Sequence, residues 1–425
     1  MASEGGVKRR FGFENARRAL RVRNYRLYAV GNGISLIGTW MQRIAVGWLA
    51  WELTQSTVWL AVVAAADLVC TLALSPFAGT IADRFDRKRL LWATQAVAMA
   101  QAALLAALTY GAMVDIIALF LLSLVLGAAN ALNQPVRLAL VPSLVDKATL
   151  PAANAVGALV FNLARFAGPA AAGFAIESGG AGLAFALNAI SYFAFMVALT
   201  QIRLAPEAAK PAAGEDFIAA TLAGYRYALR HPGIGRMIML FTVTALSMRG
   251  FIELFPGFAD AIFAAGPRGL GGLTAVVGLG ALAGGLWMAR RPGIQGMTGL
   301  FVGHTLVAAL AVLGFVATAN YWVALGAVFV CGFSQATTGI GVQTLIQSAV
   351  DPAMRGRVMG FYGMLFRGGL AVNALVLGWL SSYFGLRLTV GAGAVLCLLY
   401  WCWARLHQGD MTASLEAEAQ STVAS

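Results

Sequence analysis

The stretch "SPFAGTIADRFDRKRLLW" (75–92) concentrates charge in a chain that is otherwise apolar. Only 11% of the whole chain is charged and 60% is hydrophobic, yet six charged residues fall between positions 83 and 89. They are Asp83, Arg84, Asp86, Arg87, Lys88 and Arg89. Long apolar runs lie on both sides of this cluster. A short charged loop between two such runs is typical of a chain that crosses a membrane more than once.

Composition supports a membrane protein, because a mean hydropathy of +0.76 does not describe a soluble domain. Apolar runs of about 20 residues, each long enough to span a bilayer, recur along the chain. Twelve spans, numbered here in chain order, are predicted at 27–52, 58–80, 90–110, 116–138, 150–176, 182–202, 234–260, 270–289, 297–318, 321–346, 357–380 and 386–405. No cleavable signal peptide is expected, since the chain is polar and basic until span 1.

The distribution of Lys and Arg predicts the orientation. With the N-terminus inside, 23 basic residues fall in the inner segments and only Arg268 and Arg387 fall outside. Both termini are therefore predicted to be cytoplasmic. The net charge of +12 then follows from topology, with anionic membrane lipids as the partner. No nucleic-acid partner is expected.

A second copy of the first half follows at an offset of about 205 residues. Gly79 aligns with Gly284 at an offset of 205, and Arg43 with Arg249 at 206. The repeat and the composition divide the chain into four segments. We predict a six-helix bundle with a basic N-terminus at 1–203, a linker with an amphipathic helix at 204–232, a second six-helix bundle at 233–406, and a polar tail without regular structure at 407–425.

The two parallel six-helix repeats resemble the architecture of the major facilitator superfamily. The loop between spans 2 and 3 also resembles the signature of that superfamily, in Gly79, Ile81, Ala82, Asp83, Arg84, Arg87 and Lys88. The resemblance implies an all-α membrane protein of twelve transmembrane helices in two pseudo-repeats. It also implies a latch, formed by Gly79, Asp83, Arg84, Arg87 and Lys88, in which Asp83 bonds the start of span 11. Asp86 replaces the usual glycine, and Asp tolerates a left-handed turn. A simpler interpretation, that these charges only determine topology, stays open.

Span 5 carries a second resemblance, to the drug:proton antiporters of that superfamily, in Gly168, Pro169 and Gly173. Small residues at this spacing allow close helix contact. Three of the antiporters' glycines are alanine here. The whole pattern resembles the branch of enterobactin exporters and macrolide efflux proteins, on "NYRLYAVGNGISLIGTWMQRIAVGWLAWELTQST", "LPAANAVGALVFNLARFAGP" and "RGRVMGFY".

Charges inside the spans are candidates for function, because a charge at mid-bilayer costs about 2.5–3.5 kcal/mol. They are Arg43, Arg165, Arg249, Arg367, Asp67 and Glu253. Equal depth pairs Arg43 with Asp67, and a spacing of four residues pairs Arg249 with Glu253. Two interpretations stay open for Arg165 and Arg367. They bond backbone carbonyls, or they line a cavity suited to a carboxylate, catecholate or phosphate.

Uncharged polar and aromatic residues extend the candidate list. Asn133, Gln134 and Gln335 are candidates to hydrogen-bond a substrate, with Asn130 and Gln343 as further candidates and Trp40, Trp48 and Phe251 as candidate stacking residues. The alternative, that each is a packing residue, stays open for all of them. Asp67 and Glu253 are predicted as the only acids well inside spans and hence as the proton-coupling residues. His304 is expected to be a satisfied interhelical donor. The four cysteines lack metal-ligand spacing, so no metal and no cofactor are predicted.

These features predict a secondary active transporter rather than an enzyme, because no catalytic motif is found. The expected activity is proton-coupled efflux of a small siderophore-like, drug-like or other anionic or amphiphilic compound by alternating access. The expected setting is a monomer in the bacterial inner membrane. Two alternatives stay open: an importer of an anionic nutrient on the same fold, and a non-transporting receptor or scaffold.

Overall fold

The computed structural model describes residues 17–84, 86–146, 149–203, 225–227, 230–291, 294–350 and 354–424. Within these ranges only the backbone is described at 67–68, 71–72, 75–84, 134–135, 138–139, 151, 232, 355–357, 360–361, 363–364, 366–368, 371 and 417–424. Every regular element in the described ranges is helical, which confirms the all-α class.

The helices are α1 (Arg23–Thr54), α2 (Thr57–Arg84), α3 (Arg87–Tyr110), α4 (Ile116–Leu140), α5 (Leu150–Gln201), α6 (Pro232–Met248), α7 (Phe255–Gly257), α8 (Gly266–Met288), α9 (Met297–Ala317), α10 (Tyr321–Ala349), α11 (Arg355–Phe384), α12 (Leu386–Leu406) and α13 (Gln408–Ala424). Short 3₁₀ segments lie at Val141–Ser143 and Arg249–Leu254, and a π-helical turn lies at Phe258–Ile262.

Eight helical segments among the described residues are long and apolar enough to cross a membrane. They are Arg87–Tyr110, Ile116–Asn133, Ala152–Gln201, Gly233–Ile262, Gly266–Met288, Met297–Ala317, Tyr321–Ala349 and Leu386–Leu406. The third holds predicted spans 5 and 6, and the backbone leaves helical geometry between them at Gly179 and Gly180. Shorter apolar helices at Thr57–Ala66 and Val372–Phe384 fall in predicted spans 2 and 11.

One compact unit lies within Met1–Leu49 and Val69–Ala213. Its helices are joined by buried amides, because Asn188 Nδ2 donates to Gln42 Oε1 (2.5 Å) and Gln42 Nε2 donates to Gln101 Oε1 (2.8 Å). All three side chains are at most 3% exposed. Every bonded partner lies on another helix, so this chain of amides determines how α1 sits between α3 and α5.

The second compact unit lies within Ala50–Leu68 and Gly214–Ser425. Its largest core cluster includes Phe241, Phe301, Leu345 and Val358, which come from α6, α9, α10 and α11. The unit also takes the turn between α1 and α2, where Thr57 Oγ1 donates to the carbonyl of Gly378 (2.7 Å). Helices α1 and α2 are therefore shared between the two units.

The prediction that the C-terminal tail has no regular structure is wrong, because residues 408–424 form a helix. Met411 and Leu415 are fully buried in the core cluster of the second unit. The Glu416 carboxylate accepts the backbone N–H groups of Gly296 (2.7 Å) and Thr298 (2.9 Å) at the start of α9. The overall composition of this segment is polar, so the sequence analysis did not recognise Met411 and Leu415 as core residues or Glu416 as a helix cap. Burial of these side chains stabilises the helix.

The remaining predicted domain features are described only in part. Residues 204–224 of the linker lie outside the described ranges, as do 228–229 of the predicted amphipathic helix. Residues 225–227 are helical. The limits at 203, 232 and 406 stay predictions.

Candidate functional site

Two arginines from different helices of the first unit lie against one tryptophan. The Arg43 guanidinium carbon is 5.7 Å from the Trp40 ring centroid, and that of Arg165 is 6.0 Å from it. Both distances lie within the range of cation–π attraction. Trp40 and Arg165 are half-buried, and Arg43 is exposed. The structure therefore brings together two predicted substrate-binding residues and one predicted stacking residue.

The small-residue motif of predicted span 5 explains this contact. A Cβ on Gly168 would lie 2.5 Å from the Trp40 Cβ and 2.9 Å from the carbonyl oxygen of Ile37. Only glycine lets α5 approach α1 this closely at Trp40. Pro169 and Gly173, the other motif residues, are buried. The Trp40 ring is held from a second direction by Phe161, whose centroid is 6.1 Å away.

The two guanidinium groups lie against the same indole ring, so their like charges oppose each other. Among the described residues, Arg165 has no carboxylate partner, and it contacts Trp40. A partly desolvated guanidinium such as that of Arg165 is stabilised by an anion that reaches it. The arrangement is suited to a molecule that combines an acidic group with a flat ring, because Arg165 lies beside an aromatic side chain.

Arg249 lies in the second unit, at the first residue of the 3₁₀ segment that follows α6. Its guanidinium carbon is 5.6 Å from the Phe241 ring centroid, and Phe241 packs against Tyr362 with centroids 5.0 Å apart. The predicted pairing of Arg249 with Glu253 assumed an α-helix. In a 3₁₀ helix residues three apart are aligned instead, so that spacing argument no longer applies. Glu253 is half-buried.

Asp260 is an acid that the sequence analysis missed. It lies near the end of the apolar segment Gly233–Ile262, so the expectation that Asp67 and Glu253 are the only acids well inside spans stays a prediction. Its carboxylate accepts the indole N–H of Trp51 at 2.9 Å. The π-helical turn at Phe258–Ile262 adds a residue to the helix and orients this side chain. The run "FPGFADAIF" (255–263) contained the acid, but it lay at the predicted end of span 7.

Two of the amides predicted to bind a substrate bond to residues of their own helix. Asn133 is buried and accepts a hydrogen bond from Arg137 Nε (3.0 Å), and Gln335 Nε2 contacts Cys331 Sγ at 3.3 Å. Gln343 is exposed. Asn133 and Gln335 are each held by a neighbour one helical turn away, which is typical of packing residues. The side chains of Asp67, Gln134 and Arg367 lie outside the described set.

Two other predictions are tested by direct contacts. Phe251 is fully buried between Phe255 and Phe315, with ring centroids 5.3 and 5.7 Å away, so it is a core residue rather than a stacking surface. His304 Nδ1 lies 3.4 Å from Ser334 Oγ on the neighbouring helix, which confirms the expected interhelical bond.

The charged loop that opened the analysis is described only in part. Only the backbone of Gly79, Asp83 and Arg84 is described, and it belongs to α2. Asp86 is not left-handed (φ −57°) and instead caps α3, its carboxylate accepting the Arg89 N–H at 2.7 Å. Lys88 Nζ donates to the carbonyl of Ile202 (2.6 Å) at the end of α5. Arg87 begins α3 and is half-buried.

Comparison with known proteins finds similarity to membrane transporters. The profile of the transmembrane secretion effector family matches residues 16–422. The staphyloferrin A transporter of Staphylococcus aureus is 32% identical over 158 residues, which is 37% of this chain and only 40% of that relative. The enterobactin exporter EntS of Escherichia coli O127:H6 is 28% identical over 315 residues, or 72% of each chain.

The fold has close counterparts among solved structures. A bacterial homologue of the iron transporter ferroportin, in an inward-facing state, superposes with a TM-score of 0.69. The match covers 91% of this chain and 98% of that chain at 16% sequence identity. Identity this low speaks for a shared fold alone.

Proposed function

Because this chain belongs to the transmembrane secretion effector family of the major facilitator superfamily, we propose that it exports a small anionic molecule across the bacterial inner membrane. The proposed mechanism is secondary active transport by alternating access between two six-helix repeats, twelve helices in all. Both termini would be cytoplasmic, anionic lipids would surround the basic inner segments, and the protein would work as a monomer.

The observation that carries the substrate class is the pair of arginines on Trp40. Arg43 and Arg165 both contact the Trp40 ring, and Arg165 has no carboxylate partner in the described part of the chain. Anionic groups bind guanidinium through charge-assisted hydrogen bonds, and a flat ring stacks on the tryptophan. Arg249 and Arg367, which the internal repeat aligns with Arg43 and Arg165, are also proposed as substrate contacts.

Two findings favour export. The relatives include a protein named as an enterobactin exporter, and the Gly168–Pro169 motif resembles that of antiporters. Gly168 is also where α1 and α5 touch at the proposed site. The motif and the arginine pair therefore belong to one feature of the molecule, which connects helix packing to the binding of the exported compound.

Proton coupling is assigned to the acids within the spans. Asp67 and Glu253 are the residues proposed from sequence, and Asp260 joins them because its carboxylate is bonded to Trp51 within an apolar segment. Acids within membrane spans commonly act as proton relays in transporters. Substrate-driven proton flux should be measured in liposomes for Asp67→Asn, Glu253→Gln and Asp260→Asn. Flux that survives all three changes would rule out coupling through these acids.

Inside-out membrane vesicles test the proposed function. Citrate, enterobactin and phenyl phosphate serve as the anion panel, and ethidium serves as the cationic control. An exporter accumulates a panel member in inside-out vesicles when a proton gradient is applied. Accumulation only in right-side-out vesicles would indicate an importer. Binding of a panel member with no transport in either preparation would favour a receptor or scaffold.

A further inference from the structure

The predicted seventh span is broken inside the membrane segment Gly233–Ile262. Helix α6 ends at Met248, where φ is −130°, and residues Arg249–Leu254 continue as a 3₁₀ helix. A break inside a lipid bilayer leaves backbone groups without partners, and each such group costs several kcal/mol unless protein satisfies it. The groups at this break must therefore find other partners.

Asn373 of α11 supplies both partners. Its Oδ1 accepts the N–H of Gly250 at 2.5 Å, and its Nδ2 donates to the carbonyl of Leu246. In an unbroken α-helix the Gly250 N–H would bond to that same Leu246 carbonyl, four residues earlier. The carboxamide of Asn373 is thus inserted into a single helical hydrogen bond. The side chain is 1% exposed, so water does not compete for either bond.

Other common causes of a break do not act at this point. Pro256, the next proline along the chain, comes after the 3₁₀ segment and lies in the single turn α7. Gly250 permits the insertion, because a Cβ there would lie 2.5 Å from both the Ala374 nitrogen and Asn373 Oδ1. A side chain that enters the i→i−4 ladder is a recognised cause of a sharp bend. The sequence pair Gly250 and Asn373 therefore accounts for the break.

The Asn373 carboxamide bonds the backbone on both sides of Arg249, at positions 246 and 250. It also changes how the following residues face. Each residue of a 3₁₀ helix turns about 20° further than in an α-helix, so over four residues the direction of Glu253 differs by about 80° from its direction in an unbroken α-helix. Both residues have proposed functions, one in substrate binding and one in proton coupling. Their relative direction depends on the break.

We propose that Asn373 is a positioning residue for transport, because its amide holds the break that directs Arg249 toward Phe241 and orients Glu253. This inference rests on the proposed function, since it assigns Asn373 an effect that acts through Arg249. Asn373 itself need not touch the transported molecule. Its contribution is to keep one backbone geometry at the point where a charged side chain leaves the helix.

Amide hydrogen exchange of the full-length protein tests the insertion without any ligand. Asn373→Leu is close in size and makes no hydrogen bonds, so the Gly250 N–H loses its buried acceptor. We expect faster exchange in peptides covering 246–254, with little change in α9 or α12. Asn373→Asp keeps the acceptor and should show a smaller effect. Unchanged exchange in both variants would mean that Asn373 does not hold the break.

A double-mutant cycle tests the positioning role. Asn373→Leu should weaken binding of the anion panel roughly tenfold, the scale of one lost charge-assisted hydrogen bond, and should leave ethidium binding nearly unchanged. In the Arg249→Gln background the same change should add nothing, because its effect acts through the arginine. A full additional loss in that background would show a general structural role and overturn the inference.

The two proposals fail in different ways. If Arg249→Gln leaves anion binding unchanged, or if the wild type binds no member of the panel, then the proposed function fails and the positioning role fails with it. If Arg249→Gln weakens binding and Asn373→Leu does not, only the positioning role fails. Size-exclusion profiles like that of the wild type identify the variants that are folded.

Discussion

At the residue scale, the contact between Gly168 and Trp40 connects packing to the proposed site. The glycine has no conformational role, because it lies inside a continuous stretch of α5, and its value is the absence of a Cβ. The Trp40 ring then has a fixed place between two helices. Arg43 and Arg165 approach it from those two helices, so a small change of spacing alters both cation–π contacts.

Gly168→Ala is expected to destabilise the protein by about 1–3 kcal/mol, because the new methyl group overlaps the Trp40 Cβ and the Ile37 carbonyl. Thermal unfolding in detergent measures the change. Gly157→Ala on the same helix is the matched control, since a Cβ there meets no atom within 4 Å. The control should gain roughly 0.5–1 kcal/mol from helix propensity. Equal effects of the two changes would contradict the packing role of Gly168.

Arg165→Gln and Arg367→Gln should weaken binding of the anion panel far more than binding of ethidium. The reason is that each removes a positive charge from a proposed anion site. Ligand-induced thermal shift measures both affinities. Arg405→Gln removes the same charge from the end of α12, where the arginine bonds Gln408, and should affect neither ligand selectively. If the Arg165 and Arg367 variants lose anion and cation binding equally, the anionic substrate class should be abandoned.

At the element scale, α13 is the clearest case of an element whose stability comes from packing. Its sequence is polar, but Met411 and Leu415 are fully buried, and Glu416 caps the first turn of α9. A second contact, the ion pair of Arg236 and Asp410 at 3.0 Å, lies on the exposed side. The helix therefore connects the starts of α6 and α9.

Glu416→Ala should cost about 2–3 kcal/mol, because two backbone N–H groups at a helix N-terminus lose a buried carboxylate. Asp410→Ala is the control on the same helix. Its ion pair is exposed, so the expected loss is roughly 0.2–1 kcal/mol. Chemical unfolding followed by the tryptophan signal compares the two. A larger loss for Asp410→Ala would contradict the docking contribution assigned to Glu416.

At the scale of the whole molecule, α1 and α2 take part in both compact units. The turn between them, with its flanking residues 50–68, groups with the second unit, while the rest of each helix groups with the first. Trp51 bonds Asp260, and Thr57 bonds the Gly378 carbonyl. If transport proceeds by rocking of two halves, these contacts must separate in each cycle, or α1 and α2 must bend.

Linking the turn between α1 and α2 to α7 should therefore stop transport. Cysteines replace Trp51 and Gly257, whose Cβ would lie 3.2 Å from the Trp51 ring, in a background without the four native cysteines, and a short bifunctional thiol reagent connects them while Asp260 is kept. We expect transport in inside-out vesicles to cease after linking and to return after cleavage of the reagent. Each single-cysteine variant treated in the same way is the control. Full transport by the linked protein would show that this contact persists through the cycle.

The charged loop between α2 and α3 gives a second prediction at this scale. Asp83→Asn should leave the protein inserted at normal abundance and nearly abolish transport, because the proposed bond from Asp83 to the start of α11 requires a carboxylate. Asp86→Asn is the matched control, since asparagine is an equally good N-cap for α3. Normal transport by Asp83→Asn would reduce the loop to its role in topology.

The sequence by itself determined the helical class, the approximate limits of the spans and the charges within them. These are properties of single segments. Hydropathy reports whether a run of about 20 residues prefers lipid, and an isolated charge such as Arg165 is visible against that background. Glycine-rich contacts were also visible in the pattern of Gly168, Pro169 and Gly173, because small residues at fixed spacing permit close helix packing.

Only the tertiary structure decided which distant residues meet. The convergence of Arg43 and Arg165 on Trp40 depends on the rotation of two helices about their axes. The break before Arg249 is made by an asparagine 123 positions further along the chain from Gly250. The docking of α13 depends on two buried side chains in a polar segment. Periodicity describes the environment of each helix face, but it does not say which neighbour fills that face, and packing between helices settles that choice.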